Sequence, residues 1–113
     1  MSSWKDNVRA ATTANLSPFP PTTLLTIDGV ALKDGDRMLV KNQATATQNG
    51  IWVAAKSEGW TRAQDANTSA LITPDMVVRV SEGQTNQHTE WYLTTPNPIV
   101  VGTSALFLPR ATF

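Results

Sequence analysis

The chain has 113 residues, and nine Lys and Arg balance nine Asp and Glu, so its formal net charge is zero. This length suits one domain with a buried core. A net charge of zero is unlike the excess of basic residues that is typical of a nucleic-acid-binding protein. The absence of Cys excludes disulfides, thiolate nucleophiles and Cys-based zinc sites. No apolar run approaches the roughly 20 residues that span a bilayer, so we predict no membrane insertion.

Short apolar runs separated by Gly, Pro, Asn and Asp follow one another along the chain, and none keeps a helical spacing for long. This pattern is typical of antiparallel β proteins. We predict an all-β fold, a small antiparallel β-sandwich or barrel at residues 8–113, with an extended N-terminal arm at residues 1–7. One helical turn is predicted within 62–73, capped by Asp65 or Asn67. The predicted strands are 8–12, 24–27, 37–41, 51–55, 76–80, 90–94, 99–101 and 106–109.

Two segments near the N-terminus indicate contacts with neighbouring subunits. In "SPFPPTT", Pro18, Pro20 and Pro21 cannot donate to a sheet ladder, which favours an edge or an extended arm. Trp4 and Phe19 are large apolar side chains in polar or proline-rich sequence, and an isolated domain would leave them in water. We therefore predict that all five residues are assembly contacts, made between subunits instead of within the domain.

Glycine-containing turns predict the strand reversals. "IDGV" at 27–30 and "QNGI" at 48–51 contain Asp-Gly and Asn-Gly, pairs that take positive φ and reverse a strand within two residues. "SEGQTN" and "TPNP" mark two further reversals. The stretch "DGDRMLVKNQATATQNGIWVA" is therefore predicted to be the central hairpin, with Asn49-Gly50 as its reversal.

Three tryptophans are predicted to close the two ends of the core. They are Trp52, Trp60 and Trp91.

Catalytic interpretations find little support in the residues. His88 is the only histidine, and it lies in the polar stretch "QTNQHTEW" without a Gly-x-Ser-x-Gly elbow elsewhere. Asp34 and Asp36 offer a carboxylate pair for glycoside hydrolysis or for a hard cation. Their one-residue spacing around Gly35, with no third acid nearby, favours backbone hydrogen bonding instead. We predict no catalytic, cofactor or metal site.

A sugar-binding surface is a second interpretation of the aromatic residues. Such surfaces combine an exposed aromatic ring with amide and carboxylate groups, and the alternative is that these rings are core and the amides belong to turns. Both alternatives remain open. The candidate glycan contacts are Trp52 with Asn49, and Trp91 and Tyr92 beside Gln87 and Glu90.

The order of the motifs resembles the repeat module of bacteriophage and prophage tail-fibre proteins. The resemblance covers residues 8–107 and rests on "VRAATTANL", "TIDGV", "GDRMLVKNQ", "NGIWVA", "WTRA" and "GTSAL" in this order. "SPFPPTTLL" is longer and richer in proline than the usual link between "TTANL" and "TIDGV". The resemblance implies a non-enzymatic β-strand component on the outside of a phage particle or tail, present in several copies.

The expected function is a tail-fibre or baseplate-associated module that positions or contributes to host attachment. The first alternative is a head-decoration (cement) protein that bridges capsomers, and the second is a carbohydrate-binding module. Expected partners are other virion proteins, further copies of this chain and a host surface glycan. The expected location is the virion surface, after synthesis in the bacterial cytoplasm. Without a shaft or coiled coil in the sequence, we expect the module to dock onto another protein.

Overall fold

The computed structural model describes residues 4–111, and β-strands dominate the regular structure. About 26% of the chain is strand and 6% is helical, which confirms the prediction of an all-β protein. Within residues 4–111, none of the helices is long and apolar enough to cross a bilayer. The strands are β1 Ala10–Ala11, β2 Thr26–Ile27, β3 Val30–Ala31, β4 Arg37–Val40, β5 Gly50–Val53, β6 Thr61–Arg62, β7 Val77–Val80, β8 Thr89–Tyr92 and β9 Arg110–Ala111.

The predicted central hairpin is present in the largest sheet, which has the order β1-β4-β5-β6. Strands β4 and β5 pair antiparallel, with Val40 opposite Gly50. The predicted Asn49-Gly50 reversal is wrong, because the chain turns through residues 41–49 and a short 3-10 helix at Ala46–Gln48. Asn49 is extended, with φ −65° and ψ 158°, and Gly50 is the first residue of β5.

The side chain of Asn49 explains this wider loop. Its Oδ1 accepts a hydrogen bond from the Gln43 backbone N–H at 3.0 Å, and its Nδ2 donates to the Leu106 carbonyl at 3.0 Å. Because Asn49 is only 4% exposed, these bonds replace the ones it would make with water. The residue fixes the loop to a distant part of the chain.

The two other sheets confirm two of the predicted reversals. In the β2-β3 hairpin, Ile27 pairs with Val30, and the tip residues Asp28 and Gly29 have φ 51° and 80°. The third sheet has the order β7-β8-β9. Its strands are antiparallel, and "SEGQTN" lies in the connection between β7 and β8.

The C-terminal part of the strand prediction is less accurate. Residues 99–101 form no strand and lead into a turn, and the last strand begins at Arg110 instead of within 106–109. The one predicted helical turn is the 3-10 helix Gln64–Ala66. Its N-cap is Ala63, without a side-chain cap, so the predicted capping by Asp65 or Asn67 is wrong. Asp65 instead accepts hydrogen bonds from Arg37 at 2.9 and 3.1 Å.

The N-terminal segment connects two sheets. The Lys5 N–H donates to the Val77 carbonyl at 2.8 Å, and the Val8 N–H donates to the Arg79 carbonyl at 2.9 Å. Further along, β1 pairs parallel with β4. Residues 4–7 therefore pair with their own domain, so the prediction that they do not pack there is wrong, whereas contact with other subunits stays a prediction. Residues 1–3 lie outside the described part.

Among residues 4–111 the buried side chains form two clusters, and β4 lies between them. Leu39 belongs to the larger cluster, which also contains Val78 and Val80 of β7. Met38 and Val40 point the other way, into a smaller cluster with the β2-β3 hairpin. A central strand buried on both faces therefore holds the fold together, by the favourable transfer of apolar surface out of water.

The tryptophans contribute to both clusters. Trp60 is 2% exposed, and its Nε1 donates to the Thr23 carbonyl at 3.0 Å. Trp52 and Trp91 are half-buried against the margins of the clusters. Phe19 packs edge-on against Trp52, with 4.8 Å between the ring centroids, so the prediction that Phe19 is left in water by its own domain is wrong.

The three prolines of "SPFPPTT" do not share one environment. Pro21 is buried, and its carbonyl accepts a hydrogen bond from the Trp60 N–H at 2.9 Å. Pro18 and Pro20 are exposed. This segment is thus joined to its own domain at Phe19 and Pro21.

Candidate assembly face

The sheet β7-β8-β9 has one buried face and one outward face. Val78 and Val80 of β7 are 1% and 0% exposed, whereas Val77 and Arg79 are partly exposed. Successive side chains of a strand point to opposite faces, so the second pair marks the outward face. On the last part of the chain, Leu106 and Leu108 are buried and Phe107 is exposed, which shows the same alternation.

Register places an apolar row across this outward face. Trp4 pairs parallel with Val77, and Val77 lies opposite Tyr92. The Tyr92 N–H donates to the Pro109 carbonyl at 3.1 Å, which continues the row to the far side of the sheet. Phe107 lies one step further along, where its carbonyl accepts from the Thr94 N–H at 3.0 Å.

We call this surface the assembly face, and it consists of the apolar row together with the adjacent Phe107. Trp4 is 48% exposed and Phe107 is 57% exposed, which makes them two of the most exposed large apolar side chains of the described part. Such a contiguous apolar surface is typical of an interaction site. Its members are Trp4, Val77, Tyr92, Phe107 and Pro109.

One ion pair lies beside the apolar row. Arg79 and Glu90 are opposite each other on β7 and β8, and the Arg79 guanidinium donates to the Glu90 carboxylate. Both side chains point to the outward face because they alternate with Val78 and Trp91. The assembly face thus has an apolar row flanked by one positive and one negative charge.

A polar cleft is a further candidate for a binding site. It has a volume of about 450 Å³ and lies between the β2-β3 hairpin and residues 82–87. Arg9 lies at this cleft, where it donates to Asp36 at 2.6 Å and to Glu82 at 3.2 Å. The hydrogen bond with Asp36, followed by the one with Glu82, raises the pKa of Arg9, which keeps the guanidinium charged. Exposed amides of Gln84 and Gln87 complete the polar lining.

Asp28 fixes the geometry of the cleft. Its carbonyl accepts from the Gln84 N–H at 2.9 Å. Its carboxylate accepts from the Thr85 N–H at 3.0 Å and from the Asn86 N–H at 2.8 Å. The tip of the β2-β3 hairpin is therefore bound to the β7-β8 connection.

The acidic residues of the "KDGD" turn have the predicted backbone role. Asp34 Oδ1 accepts from the Lys56 N–H at 2.8 Å, and Asp36 Oδ2 accepts from the Lys33 N–H at 2.7 Å. His88 is exposed in a turn, with φ 61°. Among residues 4–111, no group of three or more His, Cys, Asp and Glu is placed to hold a metal ion.

The predicted glycan contacts do not form one surface. Asn49 is buried, and both of its polar side-chain atoms bond within the chain, so the prediction that it contacts a glycan lacks an accessible group. The Trp52 ring is occupied by Arg62, whose guanidinium carbon lies 4.7 Å from the ring centroid. Trp91 and Tyr92 point to opposite faces of β8, and only Tyr92 belongs to the assembly face.

Two of these aromatic rings carry cations. Lys41 Nζ lies 4.3 Å from the centroid of the Trp91 ring. Burial lowers the pKa of Lys41, with Asp28 acting in the opposite direction, and burial also lowers the pKa of Arg62. Since these cations cover the rings, stacking of a sugar on Trp52 or Trp91 would first have to displace them.

Comparisons of the chain with protein-family models, with curated proteins and with solved structures find no match. Functional inference therefore rests on the residues and on their geometry. The sequence indicates Trp4 and Tyr92 as separate contacts, and it does not indicate Val77, Phe107 or Pro109 as contacts. Residues 106–108 are all apolar, so the sequence carries no alternation that would mark Phe107 as exposed.

Proposed function

We propose that this chain is a non-enzymatic structural module of a bacteriophage virion, on a tail fibre or associated with the baseplate. It lies on the particle surface in several copies and positions or contributes to host attachment. The observation that carries this proposal is the assembly face, an exposed apolar row on a small neutral domain. The order of motifs shared with phage tail-fibre repeats supports the same assignment.

Burial of the assembly face supports a multi-copy role. A fully buried large apolar side chain gains about 1.5–3 kcal/mol relative to exposure. Trp4 and Phe107 each keep about half of that surface in water, so a neighbour that covers them gains on the order of 1 kcal/mol from each. Repeated over several copies, this gain holds a neutral domain in place without attraction between net charges.

The framework behind this face suits a passive, rigid role. Side chains of both larger sheets share one cluster of buried residues, from which we infer a small β-sandwich. The carboxylates of Asp28, Asp34 and Asp36 bind backbone amides instead of facing one another. Assays on polysaccharide and peptidoglycan are therefore expected to stay at background, and turnover lost on Asp34→Asn or His88→Gln would contradict the proposal.

The polar cleft favours saccharide binding as a second function. Gln84 and Gln87 present exposed amides there, beside Glu82 and Arg9. Amide, carboxylate and guanidinium groups are suited to the hydroxyl groups of a sugar. A glycan array tests this function, and Gln84→Ala together with Gln87→Ala should abolish any binding that occurs in the cleft.

Localisation tests the main proposal. Antibodies against the purified domain are expected to label intact phage particles at the tail, as seen by immunogold electron microscopy. Labelling of the head would support the capsid-decoration alternative instead. The absence of the chain from purified particles, by labelling and by mass spectrometry, would overturn the proposal.

A matched pair of variants connects the localisation with the assembly face. Phe107→Ser removes an exposed ring from the face, whereas Val100→Ser removes an apolar side chain that is 51% exposed outside it. We expect Phe107→Ser to reduce incorporation into particles several-fold and Val100→Ser to leave it unchanged. Equal incorporation of both variants would show that the face is not used.

A further inference from the structure

We infer that the assembly face binds a second copy of this chain, in a face-to-face contact with two-fold symmetry. This inference rests on the proposed multi-copy function and names the partner. Two sheets that pack face to face keep their strands within about 30° of each other, at a separation of about 10 Å. Such a contact needs a surface that is complementary to itself.

The apolar row meets that requirement. Consider a two-fold axis that runs parallel to the strands, between β7 and β8. It places β7 of one copy against β8 of the other, so Val77 faces Tyr92 of the second copy. The ends of the row also exchange, so Trp4 faces Pro109 of the second copy. Each apolar side chain of the row is thus matched with another one.

The flanking charges meet the requirement as well. The same axis places Arg79 against Glu90 of the second copy, and Glu90 against Arg79. Opposite charges therefore face each other twice. A partner with a strongly acidic or basic surface would oppose one of these two charges, whereas a copy of this neutral chain does not.

The size of the face sets the strength of the contact. An aromatic side chain buries at most about 150–250 Å², and the row contains few of them. The total buried area is therefore below the roughly 1,200–2,000 Å² of stable complexes, so isolated copies should associate reversibly and weakly. In a particle, where several copies are held close together, the same contact becomes effective.

Sedimentation equilibrium over a concentration series of the purified chain tests the inference. The wild-type protein is expected to show a reversible monomer–dimer equilibrium. Tyr92→Ser should shift its midpoint to at least tenfold higher concentration, and the exposed-surface control Val100→Ser should leave the midpoint unchanged. A wild-type protein that stays monomeric at every concentration, or an equal effect of both variants, would overturn the inference.

Charge reversal gives a test that loss of folding cannot imitate. R79E and E90R each bring like charges together across the two-fold axis, so each variant alone should be monomeric. An equimolar mixture pairs an acidic face with a basic face, and we expect heterodimers that are tighter than the wild-type dimer. Thermal unfolding of each variant checks that it is folded, and a mixture of folded variants that stays monomeric would contradict the inference.

The outcomes separate this inference from the proposed function. If antibodies label the particle but the purified chain does not self-associate, the face binds a different virion protein and only the inference fails. If the chain dimerises but is absent from particles, the proposed function fails and the dimer contact stands.

Discussion

Replacing Asp28 by Ala should destabilise the protein more than any other change of an acidic turn residue. Asp28 joins the tip of the β2-β3 hairpin to the β7-β8 connection through its carboxylate. The residue also adopts φ 51°, a conformation that Asp and Asn tolerate better than Ala. The substitution therefore removes a long-range anchor and introduces backbone strain.

The magnitude follows from two contributions. Asn86 is 5% exposed, so its backbone N–H, which donates to Asp28 at 2.8 Å, would be left without an acceptor in a nearly dry site. Such a group costs about 1–3 kcal/mol. The left-handed conformation costs Ala about 1–2 kcal/mol. Thr85 is exposed and can donate to water instead. The total loss is about 2–5 kcal/mol, which lowers the melting temperature of a domain of this size by roughly 10–20 °C.

Thermal and urea unfolding of three variants test this reasoning. Asp28→Asn keeps the tolerance for positive φ and one carbonyl acceptor, so it should lose only about 1 kcal/mol. Asp34→Ala is the matched control, because Asp34 also precedes a glycine but accepts one hydrogen bond, from the exposed Lys56 N–H. Its loss should stay below about 1 kcal/mol. Equal melting temperatures of Asp28→Ala and Asp34→Ala would show that Asp28 is not a long-range anchor.

Three further measurements address the glycines and the pH dependence. Gly83→Ala should lower the melting temperature more than Gly102→Ala, because both have positive φ but only at Gly83 would a Cβ overlap Asp28 Oδ2; equal values would exclude that overlap. Gly50→Val should cost about 1–3 kcal/mol by urea unfolding, because Gly50 has φ 139°; an unchanged midpoint would contradict this. Burial alone would raise the pKa of Asp65, but the hydrogen bonds and charge of Arg37 outweigh it and hold that pKa below 3.8. The contribution of Asp65 is thus fully present above pH 3.8 and is lost as the pH falls through the lower pKa of the folded state, so Asp65→Asn should flatten the acid limb of stability.

Local sequence signals predicted the short-range features of the fold. The Asp28-Gly29 reversal follows from the conformational tolerance of these two residues, and it forms as expected. Asn49-Gly50 carries the same local signal, but the buried side chain of Asn49 bonds to Leu106 on a distant part of the chain. A tertiary contact of this kind overrides the local preference and cannot be inferred from turn composition.

The candidate site shows the same difference between local features, which the sequence predicts, and long-range contacts, which it does not. Trp4 and Tyr92 were recognisable as unusual residues, yet their proximity depends on the register of Val77 with both of them. Pairing between residues so far apart in the chain is set by packing of the whole domain, and periodicity within one strand does not encode it. For this reason the sequence indicated Trp4 and Tyr92 as contacts but placed them on separate surfaces.

The N-terminal segment also constrains the order in which the protein folds. Residue 10 pairs with residue 38, while residue 4 pairs with residue 77. The segment 4–11 therefore pairs with strands from both halves of the chain. During synthesis the residues of β4 and β5 leave the ribosome before those of β7. The N-terminal segment can therefore pair with β4 before it can pair with β7. Closing so long a loop is entropically costly and slow. We therefore expect the pairing of residues 4–8 with β7 to be a late folding step, and a stopped-flow refolding phase that disappears when Val8 is replaced by Pro would identify it.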